Sequence, residues 1–145
     1  MIQRVQSIYL LLASGSFFGT FLAPFAESEV AVPGTVLADQ HFTTSDSTGM
    51  IIGFAVAGLS ALAAIFLYNN RKLQINVSRV ALMAGLLAVV LGVLAFMQDG
   101  QAMGEVDVAG EAGGLLPFVG AILTFLGIRG VRADEKLVRS ADRLR

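Results

Sequence analysis

The sequence predicts an all-α fold, a four-transmembrane-helix bundle, and three observations support this prediction. Of the 145 residues, 55% are apolar and only 14% are charged, whereas a soluble domain has about 25% charged residues. Four apolar runs follow one another along the chain. The basic residues are confined to three segments. One precedes the first run, one connects the second run to the third, and one begins at the end of the fourth run. This pattern is typical of a small integral membrane protein.

The predicted spans cover residues 5–25, 50–68, 77–96 and 113–131. A hydrocarbon core about 30 Å thick requires roughly 20 residues of helix. The first two runs and residues 80–96 contain no charged side chain. The fourth run is strongly apolar only from Leu115 to Ile128, so it needs the stem of Arg129 to reach the interface. Residues 50–68 and 80–96 are apolar all round, which excludes the polar face of a helix in a soluble bundle.

The distribution of charge predicts the orientation in the membrane. All ten basic residues lie before the first span, in residues 71–79 at the connection to the third span and its first turn, or after Ile128. The other two loops have no basic residue and hold eight acidic ones: Glu27, Glu29, Asp39, Asp46, Asp99, Glu105, Asp107 and Glu111. Lysine and arginine close to a span are retained in the cytoplasm during insertion. Both termini and the connection between the second and third spans are therefore predicted to be cytoplasmic.

Residues 1–133 are predicted to form the membrane domain, and residues 134–145 a cytoplasmic amphipathic tail. Leu137, Ala141 and Leu144 recur at helical spacing among charged residues. Because no proline or glycine follows Gly130, the fourth span is expected to continue into this tail as a helix. The charge of the tail is compatible with contact to anionic lipid headgroups and with docking to a protein.

The two outer loops differ in their predicted structure. In residues 26–49, β-branched residues flank Pro33 and Gly34, which predicts a short β-hairpin from about Val30 to Leu37. His41 lacks partners at metal-ligand spacing and is interpreted as an exposed loop histidine. Residues 98–114 are rich in glycine and acids but lack the spacing of a calcium loop. They are expected to form a flexible, solvated connection.

Small residues recur at close-packing intervals within the spans. They are Gly15 and Gly19, then Gly53, Ala57, Ala61 and Ala64, then Gly85, Ala88 and Gly92, and finally Gly120 and Thr124. Lipid tails are as apolar as leucine, so helices associate where small residues let their backbones approach. The pattern predicts a compact bundle, although some of these residues are equally compatible with contacts to another subunit.

Composition excludes several kinds of chemistry. The chain has no cysteine and one histidine, which excludes a thiol nucleophile, a cysteine-ligated metal and a haem held by histidines in the spans. The central parts of the spans lack the ionisable groups that proton relays and ion-coupled transporters use. The net charge of −1 gives no overall basic footprint for nucleic acid. The chain is therefore predicted to be non-enzymatic, without a cofactor or metal and without a nucleic-acid partner.

Three segments carry a resemblance to a known family: MIQRVQSIYLLLA at residues 1–13, NRKLQI at residues 70–75 and DEKLVRSADRLR at residues 134–145. They resemble domain-of-unknown-function family 4293, which comprises small four-span membrane proteins of Bacteroidetes-type bacteria. The resemblance covers nearly the whole chain. It implies the four-span architecture and a bacterial cytoplasmic membrane, and it implies no activity. All three segments fall on the predicted cytoplasmic side or at the adjoining interface.

This placement leads to the hypothesis that the cytoplasmic face binds another membrane subunit or a cytoplasmic protein. The hypothetical partner-binding residues are Gln3, Arg4, Gln6, Arg71, Lys72, Gln74, Arg139, Asp142, Arg143 and Arg145. The alternative is that these polar groups cap helix ends and tie the tail to the inner turn.

The predicted function is that of a non-enzymatic accessory or structural subunit in a larger membrane assembly. The first alternative is a small transporter or channel component that works as an oligomer. The second is an enzyme acting on lipids at the outer interface, which would require His41 and the outer acidic residues to converge. A third is an adhesion module with an extracellular sheet formed by the first loop.

Overall fold

The computed structural model describes residues 2–142, and the side chains of residues 5–100 and 102–138. Within these residues the protein is mostly helical, with four helices: α1 (Ile2–Gly19), α2 (Thr48–Phe66), α3 (Arg71–Met103) and α4 (Leu116–Asp142). Three short strands, β1 (Ala26–Ser28), β2 (His41–Phe42) and β3 (Val108–Gly110), form one sheet in the order β2-β1-β3. The helical prediction is confirmed, and this small sheet corrects its all-α part.

Three segments are long and apolar enough to cross a membrane, residues 48–66, 71–100 and 112–138. The first helix is the shortest of the four described, which differs from the predicted span over residues 5–25. Its 18 residues extend about 27 Å. The chain turns at Thr20, whose hydroxyl donates to the Phe17 carbonyl at 2.7 Å. Hydropathy could not reveal this end, because the turn itself is made of apolar residues.

The third and fourth helices extend beyond the predicted spans. The Asn70 side chain accepts a hydrogen bond from the Leu73 amide at 3.1 Å, so α3 begins at Arg71. Its other end lies at Met103, within the loop that was expected to be flexible. The fourth helix passes the predicted boundary at residue 133 and reaches Asp142, the last residue that the structure describes. The expected continuation of this span into the tail is confirmed.

The four helices form a ring in which each packs against its sequence neighbours and α1 also packs against α4. The first and last helices are antiparallel, because Leu116 lies beside Gly19 and Gln6 lies beside Gly130. The Oγ of Ser14 donates to the Gly58 carbonyl at 3.0 Å and links α1 to α2. The ring brings the start of α1 and the end of α4 to the same end of the bundle.

Phe17 is the centre of the helix packing. Its side chain is fully buried and lies against Gly85 of α3 and Gly120 of α4. A Cβ at these glycines would lie 2.5 and 2.9 Å from the ring, respectively. These two glycines therefore act as the sequence predicts, by providing room for close approach. Gly15 differs, because it is exposed and has no such neighbour within 4 Å.

The predicted hairpin between Val30 and Leu37 is wrong. These residues form turns, with Gly34 at a φ of 83°. β1 instead pairs antiparallel with β2, with Ala26 opposite Phe42, and its other edge pairs with β3. Residues 108–110 of the second outer loop are therefore part of the sheet. Partners so distant in sequence leave no local turn signal, which explains why the sequence did not reveal this pairing.

Candidate functional site

We define the inner face as the end of the bundle where α1 and α3 begin and α2 and α4 end. The α2–α3 turn, residues 67–70, lies at this end. The side chain of Asn70 caps α3. Tyr68 and Asn69 of the same turn are exposed. Of the ten residues predicted to bind a partner, the structure describes the side chains of four: Gln6, Arg71, Lys72 and Gln74.

An ion pair connects this turn to the last part of α4. The Nη2 atom of Arg71 lies 3.2 Å from Oδ2 of Asp134, and the two side chains are 27% and 16% exposed. Partial burial reduces solvent screening of such a pair. Arg71 therefore ties the end of α4 to the turn, as the alternative interpretation of the sequence expected.

Two of the predicted residues are inside the bundle. Gln6 is 4% exposed and Gln74 is 3% exposed. The side chain of Gln6 packs against Gly130, and its Nε2 atom has no hydrogen-bond partner among the described residues. The Gln74 carbonyl accepts a hydrogen bond from Oγ of Ser78 at 2.8 Å. Because both side chains are buried, neither contributes to an exposed docking surface.

The other predicted residues have different positions. Lys72 is exposed, and it borders a shallow depression of about 660 Å³ together with Tyr68, Asn69, Asn70, Arg71, Glu135 and Val138. The side chains of Gln3, Arg4, Arg139 and Asp142 lie outside the described part of the structure, as do residues Arg143 and Arg145.

The sequence interpretation missed an exposed stripe on α4. Arg129, Arg132, Lys136 and Leu137 are exposed along this helix, whereas Ile128 and Val131 face Ile75 of α3. We call the four exposed residues the α4 stripe. The three cations follow one another at i, i+3 and i+7, a spacing that places them on one side of a helix. This signal was present in the sequence, where the basic residues of residues 129–145 were considered for orientation and for the tail as a whole, and their common side of the helix was not singled out.

The opposite end of the bundle contains His41. Its Nδ1 atom lies 3.3 Å from Oε1 of Glu27, its cross-strand neighbour, and both side chains are partly exposed. Asp46 and Asp99 accept backbone hydrogen bonds from Thr43 and Val36. Among the side chains that the structure describes, no group of three or more His, Cys, Asp or Glu residues could hold a metal ion. Asp46 and Asp99 instead order loops, and Glu27 lies beside His41.

A family model described as a domain of unknown function, DUF4293, matches residues 2–144. The chain belongs to the DUF4293 family. The resemblance that the three sequence segments carry is thereby confirmed. No curated protein and no solved structure matches this DUF4293 chain. Because the family is defined without a function, what the DUF4293 protein does has to be argued from its geometry.

Proposed function

We propose that this DUF4293 protein is a non-enzymatic accessory or structural subunit of a larger assembly in the bacterial cytoplasmic membrane. Both termini lie in the cytoplasm, and the inner face docks onto another membrane subunit or a cytoplasmic protein. The observation that carries this proposal is a group of exposed side chains at the inner face. They are the α4 stripe and, on the rim of the adjacent depression, Tyr68, Asn69 and Lys72.

The chemistry of this surface fits a protein partner. The depression offers the Tyr68 ring and the Asn69 amide, and the α4 stripe adds cations beside Leu137. Protein interfaces combine aromatic, arginine and apolar groups with hydrogen-bonding ones, usually around a central pocket. An anionic lipid headgroup requires only the cations. The mixture therefore favours a protein over lipid as the docking partner.

The buried hydroxyl groups of the helices support a structural role. Ser14 donates to a carbonyl of α2, and Ser78 and Thr124 donate to carbonyls of their own helices at 2.8 and 2.7 Å. A hydroxyl that donates to the backbone satisfies its own polar group and binds its helix or a neighbour. A transport path requires polar groups directed at the transported species. These hydrogen bonds thus favour the accessory role over a transporter or channel.

The test is co-purification from native membranes with a tagged full-length chain. The double variant Lys136→Gln, Leu137→Ala changes the α4 stripe without touching the buried side of α4. Proteins that co-purify with the wild type should be reduced about tenfold, because interface residues that matter typically cost more than 1 kcal/mol each.

The matched control is Arg79→Gln, Met83→Ala. It alters one exposed basic residue and one exposed apolar residue on α3, and it should leave the same proteins bound. Retention of all partners by both variants would contradict docking through the inner face. Equal loss in both variants would contradict it as well, because the effect would then not be specific to this surface.

A further inference from the structure

A cavity of about 290 Å³ lies at the end of the bundle opposite the inner face, beneath the small sheet and between α3 and α4. Phe25 and Phe42 close it on the side of the sheet. Met50, near the start of α2, lies at its inner wall. Phe42 is 6% exposed and Met50 is 1% exposed, so the inner wall of the cavity belongs to the core.

All residues that line the cavity are apolar or glycine. The third helix contributes Val89 and Phe96, and α4 contributes Pro117 and Phe118. Water is stable in a cavity only where it finds two or more polar partners. The volume is close to the lower end of the range for ligand pockets, about 300–1,000 Å³. The cavity is therefore suited to part of a hydrocarbon chain.

The mouth of the cavity opens toward lipid. It is bordered by Val93 of α3 and Phe118 of α4, which are 52% and 51% exposed. Both lie in segments long and apolar enough to cross a membrane. Val90 and Ile122 on the same helices are also exposed, so the mouth is continuous with the apolar surface that contacts the bilayer. Hydrocarbon at the mouth gains dispersion contacts by entering, because an empty apolar cavity forfeits them.

We propose that this cavity binds one acyl chain of a phospholipid from the leaflet on the side of the sheet. The ligand is defined by its apolar chain, which inserts between Val93 and Phe118 and reaches Phe42 and Met50. The headgroup stays outside the cavity. This site is independent of docking through the inner face, which lies at the other end of the bundle.

The test is photocrosslinking of the full-length protein in vesicles of phosphatidylcholine. A trace of the lipid carries a diazirine in one acyl chain, and mass spectrometry locates the adducts. Lipids that only surround the protein reach exposed residues such as Met97. A chain inside the cavity also modifies Phe42 and Met50, which a surrounding lipid cannot reach. We expect adducts on both buried residues.

The variant Val93→Phe places a ring at the mouth, and its matched control is Val90→Phe. Both valines are 52% exposed on α3, and only Val93 lines the cavity. Removing space for about two methylene groups should weaken occupancy about tenfold. Adducts on Phe42 and Met50 should fall by this factor in Val93→Phe and stay unchanged in Val90→Phe. Circular dichroism checks that both variants remain helical.

Three results would overturn the proposal. The first is a wild-type protein without adducts on Phe42 and Met50, which would show that lipid stays on the surface. The second is an equal adduct yield in the two valine variants. The third is loss of these adducts when the labelled lipid is added to native membranes that contain other proteins. A segment of another protein would then occupy the cavity in place of the lipid.

Discussion

At the scale of single residues, the helices approach one another closely at glycines, which have no side chain. Phe17 is accommodated because Gly85 and Gly120 have no Cβ atoms at the points where its ring lies. Phe18 is accommodated in the same way by Gly58 of α2, where a Cβ would lie 2.9 Å from the ring. In a membrane, lipid competes equally well for apolar surface, so close packing of this kind provides much of the helix association.

The first prediction concerns Gly85→Ala. The new Cβ would lie 2.5 Å from the buried Phe17 ring, and overpacking of this kind costs about 1–3 kcal/mol. The free energy of unfolding in detergent micelles should fall by that amount. The control is Gly15→Ala, where the Cβ meets nothing within 4 Å. There the stability should stay the same or rise, since alanine favours a helix over glycine by up to about 1 kcal/mol.

A second prediction at this scale concerns the Arg71–Asp134 ion pair. A double-mutant cycle with Arg71→Gln and Asp134→Asn should give a coupling energy of about 0.5–1 kcal/mol, because the pair is only partly buried. The control is a second cycle that combines Lys72→Gln with Asp134→Asn, since the Lys72 side chain is exposed. Coupling of equal size for Lys72→Gln and Asp134→Asn would contradict a specific link between the turn and α4.

At the scale of elements, the outer loops are organised by contacts between the two of them. β1 comes from the first loop and β3 from the second, and they pair antiparallel over three residues. The extension of α3 beyond the predicted span brings Asp99 to the first loop, where its Oδ2 accepts the Val36 N–H at 2.8 Å. Each loop thus orders part of the other.

The third prediction concerns the carboxylate of Asp99. Asp99→Ala removes the acceptor of the Val36 amide, and a hydrogen bond to a charged group contributes about 1.5–3 kcal/mol. Hydrogen exchange at Val36 should become at least about tenfold faster. The matched change Asp107→Ala alters an exposed acid of the second loop and should leave this amide protected. Unchanged exchange in Asp99→Ala would show that other contacts hold the loop.

At the scale of the whole molecule, the helices form a ring that separates two different ends. One end carries the sheet, with Glu27 in β1 and Glu29 next to this strand, and the other carries Lys72 and the α4 stripe. Because basic residues are retained on the cytoplasmic side, we expect the inner face to be cytoplasmic. This expectation rests on the distribution of basic residues, and it concerns the orientation of the whole bundle in the membrane.

The fourth prediction tests this orientation by cysteine labelling in cells. The chain has no native cysteine, so Ser45→Cys and Lys72→Cys each provide one thiol, and both positions are exposed. A membrane-impermeant maleimide should label Ser45→Cys once the outer envelope is opened. Labelling of Lys72→Cys should require disruption of the cytoplasmic membrane. The opposite pattern would place the inner face outside the cell.

The candidate site was only partly predictable from the sequence. Lys72 is exposed as expected, whereas Gln6 and Gln74 are buried, because polarity alone does not tell which side of a helix meets its neighbour. The α4 stripe was visible as a spacing of basic residues. The cavity beneath the sheet was not predictable, since its walls come from segments as distant as Phe25 and Phe118.

The sequence alone determined that the chain is helical and apolar enough for a membrane, because hydropathy and helical periodicity are local properties. It also identified several of the small residues that allow close packing, such as Gly85 and Gly120, but not Gly58. The ends of the helices, the sheet and the cavity were decided only in the tertiary structure. Each depends on which segments meet in the bundle: β1 becomes a central strand only when residues 41–42 and 108–110 reach it. No property of residues 26–28 by themselves specifies that meeting.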